Sequence, residues 1–219
     1  MIQIMEKPPE VIAFVGPSGA GKGSIANLLR GDFCRPVSWT SRDMRPYERD
    51  GIDYVFKTRG EIEEAYENNI LFEINSFNGN LYGAPLPNEC GNPQAIYDLN
   101  HRGVIELAAR IGAGLLVISI IPPSDHSLKE RLLQRGESLK SAQGRLDIWG
   151  NEEKSLLLPG GGYGSLHSIL GRCSVDNICL VNDNLERTVE AAQWVMDTGC
   201  MPPNWRQQSN EYGISSNLL

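Results

Sequence analysis

Gly16-Pro17-Ser18-Gly19-Ala20-Gly21-Lys22-Gly23-Ser24 lies between the apolar run Val11-Ile12-Ala13-Phe14-Val15 and the amphipathic run from Ile25 to Leu29. A buried strand, a glycine-rich turn and a helix start, in that order, are the context of a phosphate-binding P-loop. The spacing G-x-x-x-x-G-K is met at Gly16, Gly21 and Lys22. Glycines let successive backbone N–H groups point into one cavity, the helix N-terminus adds partial positive charge, and a lysine there reaches the β- and γ-phosphates. The stretch therefore reads as a polyphosphate cradle formed by Gly16, Ser18, Gly19, Ala20, Gly21, Lys22, Gly23 and Ser24. One position departs from the pattern. After the lysine a Ser or Thr hydroxyl ordinarily binds Mg²⁺, whereas this chain has Gly23, with Ser24 one step later, so metal coordination by the loop stays open.

The whole chain bounds the setting. At 219 residues it suffices for one substantial core, so a single domain with small inserted lobes is expected. Hydrophobic residues make up 41% and charged residues 21%, which are globular values. No run approaches the roughly 20 apolar residues of a membrane span, and the start, Met1 to Pro9, lacks the pattern of a secretion leader. A net charge of -7 disfavours a broad nucleic-acid surface, so phosphate binding must come from local arginines. The five cysteines are scattered and odd in number, which points to reduced thiols and a cytoplasmic-type compartment. His101, His126 and His167 show no metal-ligand spacing.

Downstream of the loop helix, which should end near Arg30-Gly31, Val37-Ser38-Trp39-Thr40 and Tyr54-Val55-Phe56 read as short strands. Thr58-Arg59-Gly60-Glu61 has the spacing of a capping box for a helix through about Glu67. Ile70 to Phe77 reads as a strand closed by the turn Asn78-Gly79-Asn80. Arg42 and Arg45, three apart on an extended segment, can converge on one phosphate, with tyrosine hydroxyls completing the set; a solvated charged edge is the alternative. Gln94 to Asp98 reads as a strand ending in an acid. Beside a P-loop such an aspartate can hold Mg²⁺, and a helix cap or a salt bridge are the other roles open to Asp98. Leu115 to Ile121 is a continuous apolar strand for the middle of a parallel sheet, and Pro122-Pro123-Ser124 begins the next helix. That helix places Arg131 and Arg135 on one face. Gly144 weakens the helix that carries Arg145.

The order of these pieces resembles the guanylate kinase family. The resemblance rests on the P-loop, on Ser38-Trp39-Thr40-Ser41-Arg42-Asp43-Met44-Arg45, on Gly51 to Phe56, on Gly79 to Gly83 and on the V-N-D-x-L of Val181 to Leu185. It covers roughly residues 11 to 148 and 176 to 197. It implies that Arg42, Arg45, Tyr54 and Tyr82 hold the phosphate of an acceptor GMP, and that Ser38 and Glu73 read guanine. Asn182 would border the adenine of ATP, and Arg131, Arg135 and Arg145 would close over the transferring phosphoryl group as a lid. Asp98 matches the first acid of the family's D-x-D, and Asn100 stands at the second. Ala84 stands where the family has a Ser or Thr that assists guanine recognition.

The expected fold class is α/β: a P-loop NTPase-type parallel sheet flanked by helices, with an inserted NMP-binding lobe and a helical lid. The expected divisions are a core over 11–36, 89–124 and 176–197, an NMP-binding lobe over 37–88, a lid over 125–150, a variable insertion over 151–175 and a flexible tail over 198–219. In the insertion, the resemblance implies a continuous helix that Pro159 and the glycines after it interrupt, suggesting a mobile loop. The resemblance implies a cytoplasmic enzyme using ATP and Mg²⁺, with Lys22, Arg131, Arg135 and Arg145 catalytic, Asp98 and Ser24 as metal candidates, and Ser38, Arg42, Arg45, Tyr54, Glu73, Tyr82 and Asn100 on the acceptor. ATP and GMP or dGMP are the expected partners of a monomer or small homo-oligomer, with no nucleic acid and no membrane. Two competing readings are a P-loop kinase of another nucleoside monophosphate or of ribose 1,5-bisphosphate, and a non-catalytic protein-binding module of the same fold.

Overall fold

A computed structural model of the protein describes residues 9–77, 79–87, 94–158, 164–203 and 205. Its strands are β1 (Val11–Val15), β2 (Trp39–Thr40), β3 (Val55–Phe56), β4 (Leu71–Phe77), β5 (Asn80–Pro85), β6 (Ala95–Leu99), β7 (Leu115–Ile121) and β8 (Asp176–Val181). Its helices are α1 (Lys22–Leu28), α2 (Arg59–Glu67), α3 (His101–Ile111), α4 (Asp125–Gln134), α5 (Leu139–Ile148), α6 (Lys154–Leu157), α7 (Leu166–Gly171) and α8 (Leu185–Thr198). They form two compact units, Met1–Gly31 with Asp98–Leu219, and Asp32–Tyr97; the division falls within β6.

The first unit is built on a sheet with strand order β6-β1-β7-β8. β1 pairs with β7 and β7 with β8, both in parallel, from Val11 opposite Leu115 and Leu116 opposite Asp176. Every residue of β1 and β7 is buried, which is why both read as apolar runs, interrupted in β7 by Ser119 alone, rather than as alternation. Ile12, Phe14, Leu116, Ile118 and Ile120 have no exposed surface, and each such side chain contributes about 1.5–3 kcal/mol of burial. α3 packs on β1 and β7, and α8 packs on α1 and β8. Side chains start the helices as their residue types dictate: Asn100, Ser124, Ser138, Ser165 and Asn184 each accept a first-turn N–H.

The second unit carries a four-stranded sheet of order β3-β2-β5-β4, antiparallel at β2–β5 and β4–β5 and parallel at β2–β3. α2 covers it through a core of Ile62, Ala65, Leu71 and Leu81, with Trp39 and Ile74 against its edge. The capping box forms as the spacing predicts. Thr58 accepts from Glu61 N, and Glu61 accepts from Thr58 N at 2.8 Å.

Several local expectations are corrected. The strand expected over Val37–Thr40 is only Trp39–Thr40, because two cross-strand partners, Gly83 and Tyr82, are all that β5 supplies to it. The first helix ends at Leu28, short of Arg30, and the last runs to Thr198 and ends on Gly199 in the left-handed region. α5 runs unbroken through Gly144, an exposed position with nothing within 4 Å of where its Cβ would be. Helical backbone continues past Ile148 through a π-helical segment, Trp149–Glu153, into α6. Trp149 anchors the segment, 2% exposed, its Nε1 donating to Asp125 Oδ1 at 2.9 Å while Lys154 Nζ donates to the same carboxylate at 3.1 Å. The glycine run after Pro159, the Asn78 turn and most of the tail lie outside the described residues. Within the tail, Trp205 is buried and Arg187 stacks over its ring at 5.6 Å. Cys34 is disulfide-bonded, contrary to the expectation of reduced thiols throughout, while Cys173, Cys179 and Cys200 are free. Pairing depends on distance in space, which scattered spacing in sequence does not report. Among the described residues no helix is long and apolar enough to cross a membrane.

Candidate active site

The P-loop forms as the glycine pattern dictates. Ala20 N donates to Pro17 O at 3.0 Å, tightening the turn, and Gly21, at φ 99°, delivers the chain into α1. Two glycines are sterically required. A Cβ at Gly16 would collide with the Ile120 backbone carbonyl, and one at Gly21 would collide with the Asn182 amide nitrogen, so the loop presses against the ends of β7 and β8. Asn182, 3% exposed, fixes that contact by donating from Nδ2 to Ala20 O at 2.8 Å. Arg131 adds a second brace from α4, donating to Asn182 O at 2.6 Å and to Ala20 O at 3.4 Å. Burial pushes the Arg131 pKa down and the Asp183 carboxylate opposes it.

Lys22 is folded back on the loop. Its Nζ donates to Gly16 O at 2.8 Å and to Pro17 O at 3.3 Å, and lies 3.4 Å from Asp98 Oδ1. Around it opens a cleft of about 690 Å³ lined by Ser18, Gly19, Gly21, Lys22, Gly23 and Ser24 from the loop. Asp98 from β6, Arg131, Gln134 and Arg135 from α4, and Asn182 and Leu185 beside β8 complete the wall with Asn27. Ala20 forms the turn behind this lining and is fully buried. The structure thus gathers Lys22, Asp98, Ser24, Arg131, Arg135 and Asn182 around one cleft. Arg145 is not among the lining residues. Its Nε donates to Glu137 Oε2 at 2.8 Å. Asn100 caps α3, its Oδ1 accepting from Gly103 N at 2.9 Å. Glu153, which sequence reasoning passed over, ends the π-helical segment half-buried; burial pushes its pKa up while the Lys22 charge opposes the shift.

The second unit assembles the other candidates. Arg42 makes a two-pronged contact with Glu48, Nη1 to Oε2 at 2.9 Å and Nη2 to Oε1 at 2.8 Å, and its guanidinium lies 5.4 Å from the centre of the Tyr54 ring. Glu48 also accepts from Arg45 N at 2.8 Å, and its side chain is only 7% exposed. This bonding raises the Arg42 pKa, first through Glu48 and with help from Tyr82, and lowers that of Glu48. Tyr54 and Tyr82 meet edge to face at 6.0 Å, and burial raises the Tyr54 pKa. The Arg45 guanidinium stays exposed, 3.4 Å from the Tyr47 hydroxyl. Ser38 is half-buried and its carbonyl receives Val55 N at 3.0 Å. Glu73 lies opposite Ala84 across β4 and β5. Glu48 was missed by sequence reasoning, although the signal was there: it follows Arg42 and Arg45 at the same three-residue spacing.

The family model described as guanylate kinase matches residues 9–154. A guanylate kinase of Chlorobaculum tepidum is 33% identical over 189 residues, spanning 83% of this chain and 88% of the relative. One of Mycoplasmoides gallisepticum is 37% identical over 145 residues, covering 62% of this chain and 74% of its own. Among solved structures, the crystal structure of guanylate kinase from Anaplasma phagocytophilum superposes with a TM-score of 0.58 over 96% of both chains at 20% identity, a likeness of fold.

Proposed function

The chain belongs to the guanylate kinase family and is a nucleoside monophosphate kinase, and from that premise we propose that it moves the γ-phosphoryl group of ATP reversibly to the α-phosphate of GMP or dGMP. The observation that carries the proposal is the convergence of Lys22, Asp98, Arg131 and Arg135 on one glycine-rich cradle. Such an array suits a transferring phosphoryl group, whose charge needs neutralising and whose path needs aligning. The acceptor phosphate is already anionic, so no general base is required. Lys22 exchanges its loop carbonyls for phosphate oxygens when ATP binds, and Arg135 adds positive charge at the open side of the cleft. Arg131 holds the loop from behind through Asn182 and Ala20. Arg42, Arg45, Tyr54 and Tyr82 receive the acceptor phosphate, and Ser38 and Glu73 read the base.

Mg²⁺ fits the donor set. Among the described residues no group of three or more His, Cys, Asp or Glu could hold a metal, and a single carboxylate facing a phosphate cradle is how a hydrated Mg²⁺ is usually held. Asp98 would hold it, with the Ser24 hydroxyl on the same wall. When bound, the ion supplies charge neutralisation at the phosphates. The net charge of -7 favours small-molecule substrates over a nucleic-acid partner.

A second reading, a kinase of another acceptor, is favoured by one observation: Ala84 brings no hydroxyl to the position opposite Glu73. An ADP-forming assay with GMP, dGMP, AMP, CMP, UMP, dTMP and ribose 1,5-bisphosphate separates the two. The proposal expects turnover with GMP and dGMP far above a no-acceptor blank. Turnover confined to another acceptor supports the second reading, and none with any acceptor favours a binding module.

A further inference from the structure

Successive residues of a strand point to opposite faces, so Glu73 and Asn75 share one face of β4. A register shift between Leu71 and Glu73 sets that face; beyond it the pairing is regular, with Glu73 opposite Ala84 and Asn75 opposite Tyr82. The two side chains meet. Asn75 Nδ2 donates to Glu73 Oε1 at 2.9 Å in a half-buried setting. An ionised carboxylate only accepts, so the amide must present its NH₂ end, and the bond is charge-assisted. Across the strand pair, Ala84 is 3% exposed and its methyl group has no hydrogen bond to give.

We propose that Asn75 is a positioning residue for the acceptor base, holding the Glu73 carboxylate at a place where position 84 supplies no hydroxyl. A glutamate side chain has several conformations open to it, and only some present two oxygens to the N1–H and exocyclic amine of guanine. The Asn75 amide restricts that choice before the base arrives, lowering the ordering cost of binding. Its place opposite Tyr82 puts this control on the strand pair that also carries a phosphate-binding tyrosine. The inference rests on the guanylate kinase reading and deepens it.

The test compares wild type, Asn75→Ala, Ala84→Ser and the double variant, with GMP affinity read by calorimetry without ATP and by KM in turnover. Asn75→Ala should weaken GMP about tenfold, the scale of one hydrogen bond to a charged group, with kcat and the KM for ATP unchanged. Adding Ala84→Ser should recover most of that loss. Alone, Ala84→Ser should change GMP affinity less than about twofold, since Glu73 is already held, and this variant keeps the test decisive if Asn75→Ala does not fold. Unchanged GMP affinity in Asn75→Ala, an equal loss for ATP, no recovery in the double variant, or a tenfold gain from Ala84→Ser alone would overturn the proposal. Failure of wild type to use GMP would instead overturn the functional reading on which it rests.

Discussion

The Lys22 ammonium lies 3.4 Å from the Asp98 carboxylate while donating to the carbonyls of Gly16 and Pro17. The lysine side chain is 11% exposed and the aspartate 52%, so the pair joins a shielded cation to a carboxylate open to the cleft. A phosphate chain entering the loop offers the lysine stronger acceptors than peptide carbonyls. On the proposed reading, nucleotide binding releases Lys22 from its own loop.

Lys22→Ala should leave the fold intact, because the side chain bonds to its own loop and to Asp98 rather than across the sheet, and should lower kcat by about 100-fold or more, the usual scale for removing one preorganised donor to developing charge. Steady-state turnover alongside a thermal melt checks both halves. Retained activity would remove Lys22 from the chemistry.

Gly23 lies in the first turn of α1 with nothing within 4 Å of its missing Cβ. Gly23→Ser should therefore fit without strain and stabilise the helix by about 0.5 kcal/mol. It also restores a hydroxyl beside Lys22, so half-maximal turnover should need less Mg²⁺. A magnesium titration of wild type and variant reads the shift, and an unchanged midpoint would show that position 23 does not face the metal.

Glu48 holds both prongs of the Arg42 guanidinium and the Arg45 backbone N–H. Glu48→Gln replaces a two-pronged ionic contact with a weaker neutral one. The expected result is a KM for GMP raised about tenfold with the KM for ATP unchanged. Equal losses for both substrates would make Glu48 a general scaffold residue.

Glu61 carries the clearest pH signature. Hydrogen bonds from the Thr58 backbone N–H, then the Thr58 hydroxyl and Lys57, lower its pKa from the ordinary 4.5 to about 2. A depressed carboxylate pKa contributes stability that is complete above the unfolded value and is lost as pH falls through the folded one. Wild type should therefore melt above Glu61→Gln by a constant margin at pH 6 and 7, and the margin should shrink between pH 4.5 and about 2. A margin independent of pH would contradict the capping-box assignment.

Features written in local spacing were legible before the structure. Thr58 and Glu61 specify their own cap, the apolar run of β7 specifies a strand buried on both faces, and the P-loop glycines are spaced for a turn pressed against neighbouring backbone. Features that depend on which residues meet across the fold were not. Nothing in the spacing of Asn75 says that its amide turns onto Glu73 rather than to solvent. Glu48 reads as one more surface acid until the loop after Arg42 folds back on it. Asn100 looked like an acceptor contact because of its place in a pattern, and its side chain caps α3. Arg145 was joined to Arg131 and Arg135 by the family resemblance, and its contact with Glu137 could not be read from that.

The central claim is transfer of phosphoryl from ATP to GMP, and phosphorus NMR of a mixture of enzyme, Mg²⁺, ATP and GMP follows every phosphorus atom at once. The account predicts that ADP and GDP resonances grow together, that ATP persists when GMP is left out, and that Lys22→Ala stops both. Growth of inorganic phosphate without GDP, at the same rate with or without GMP, would contradict it.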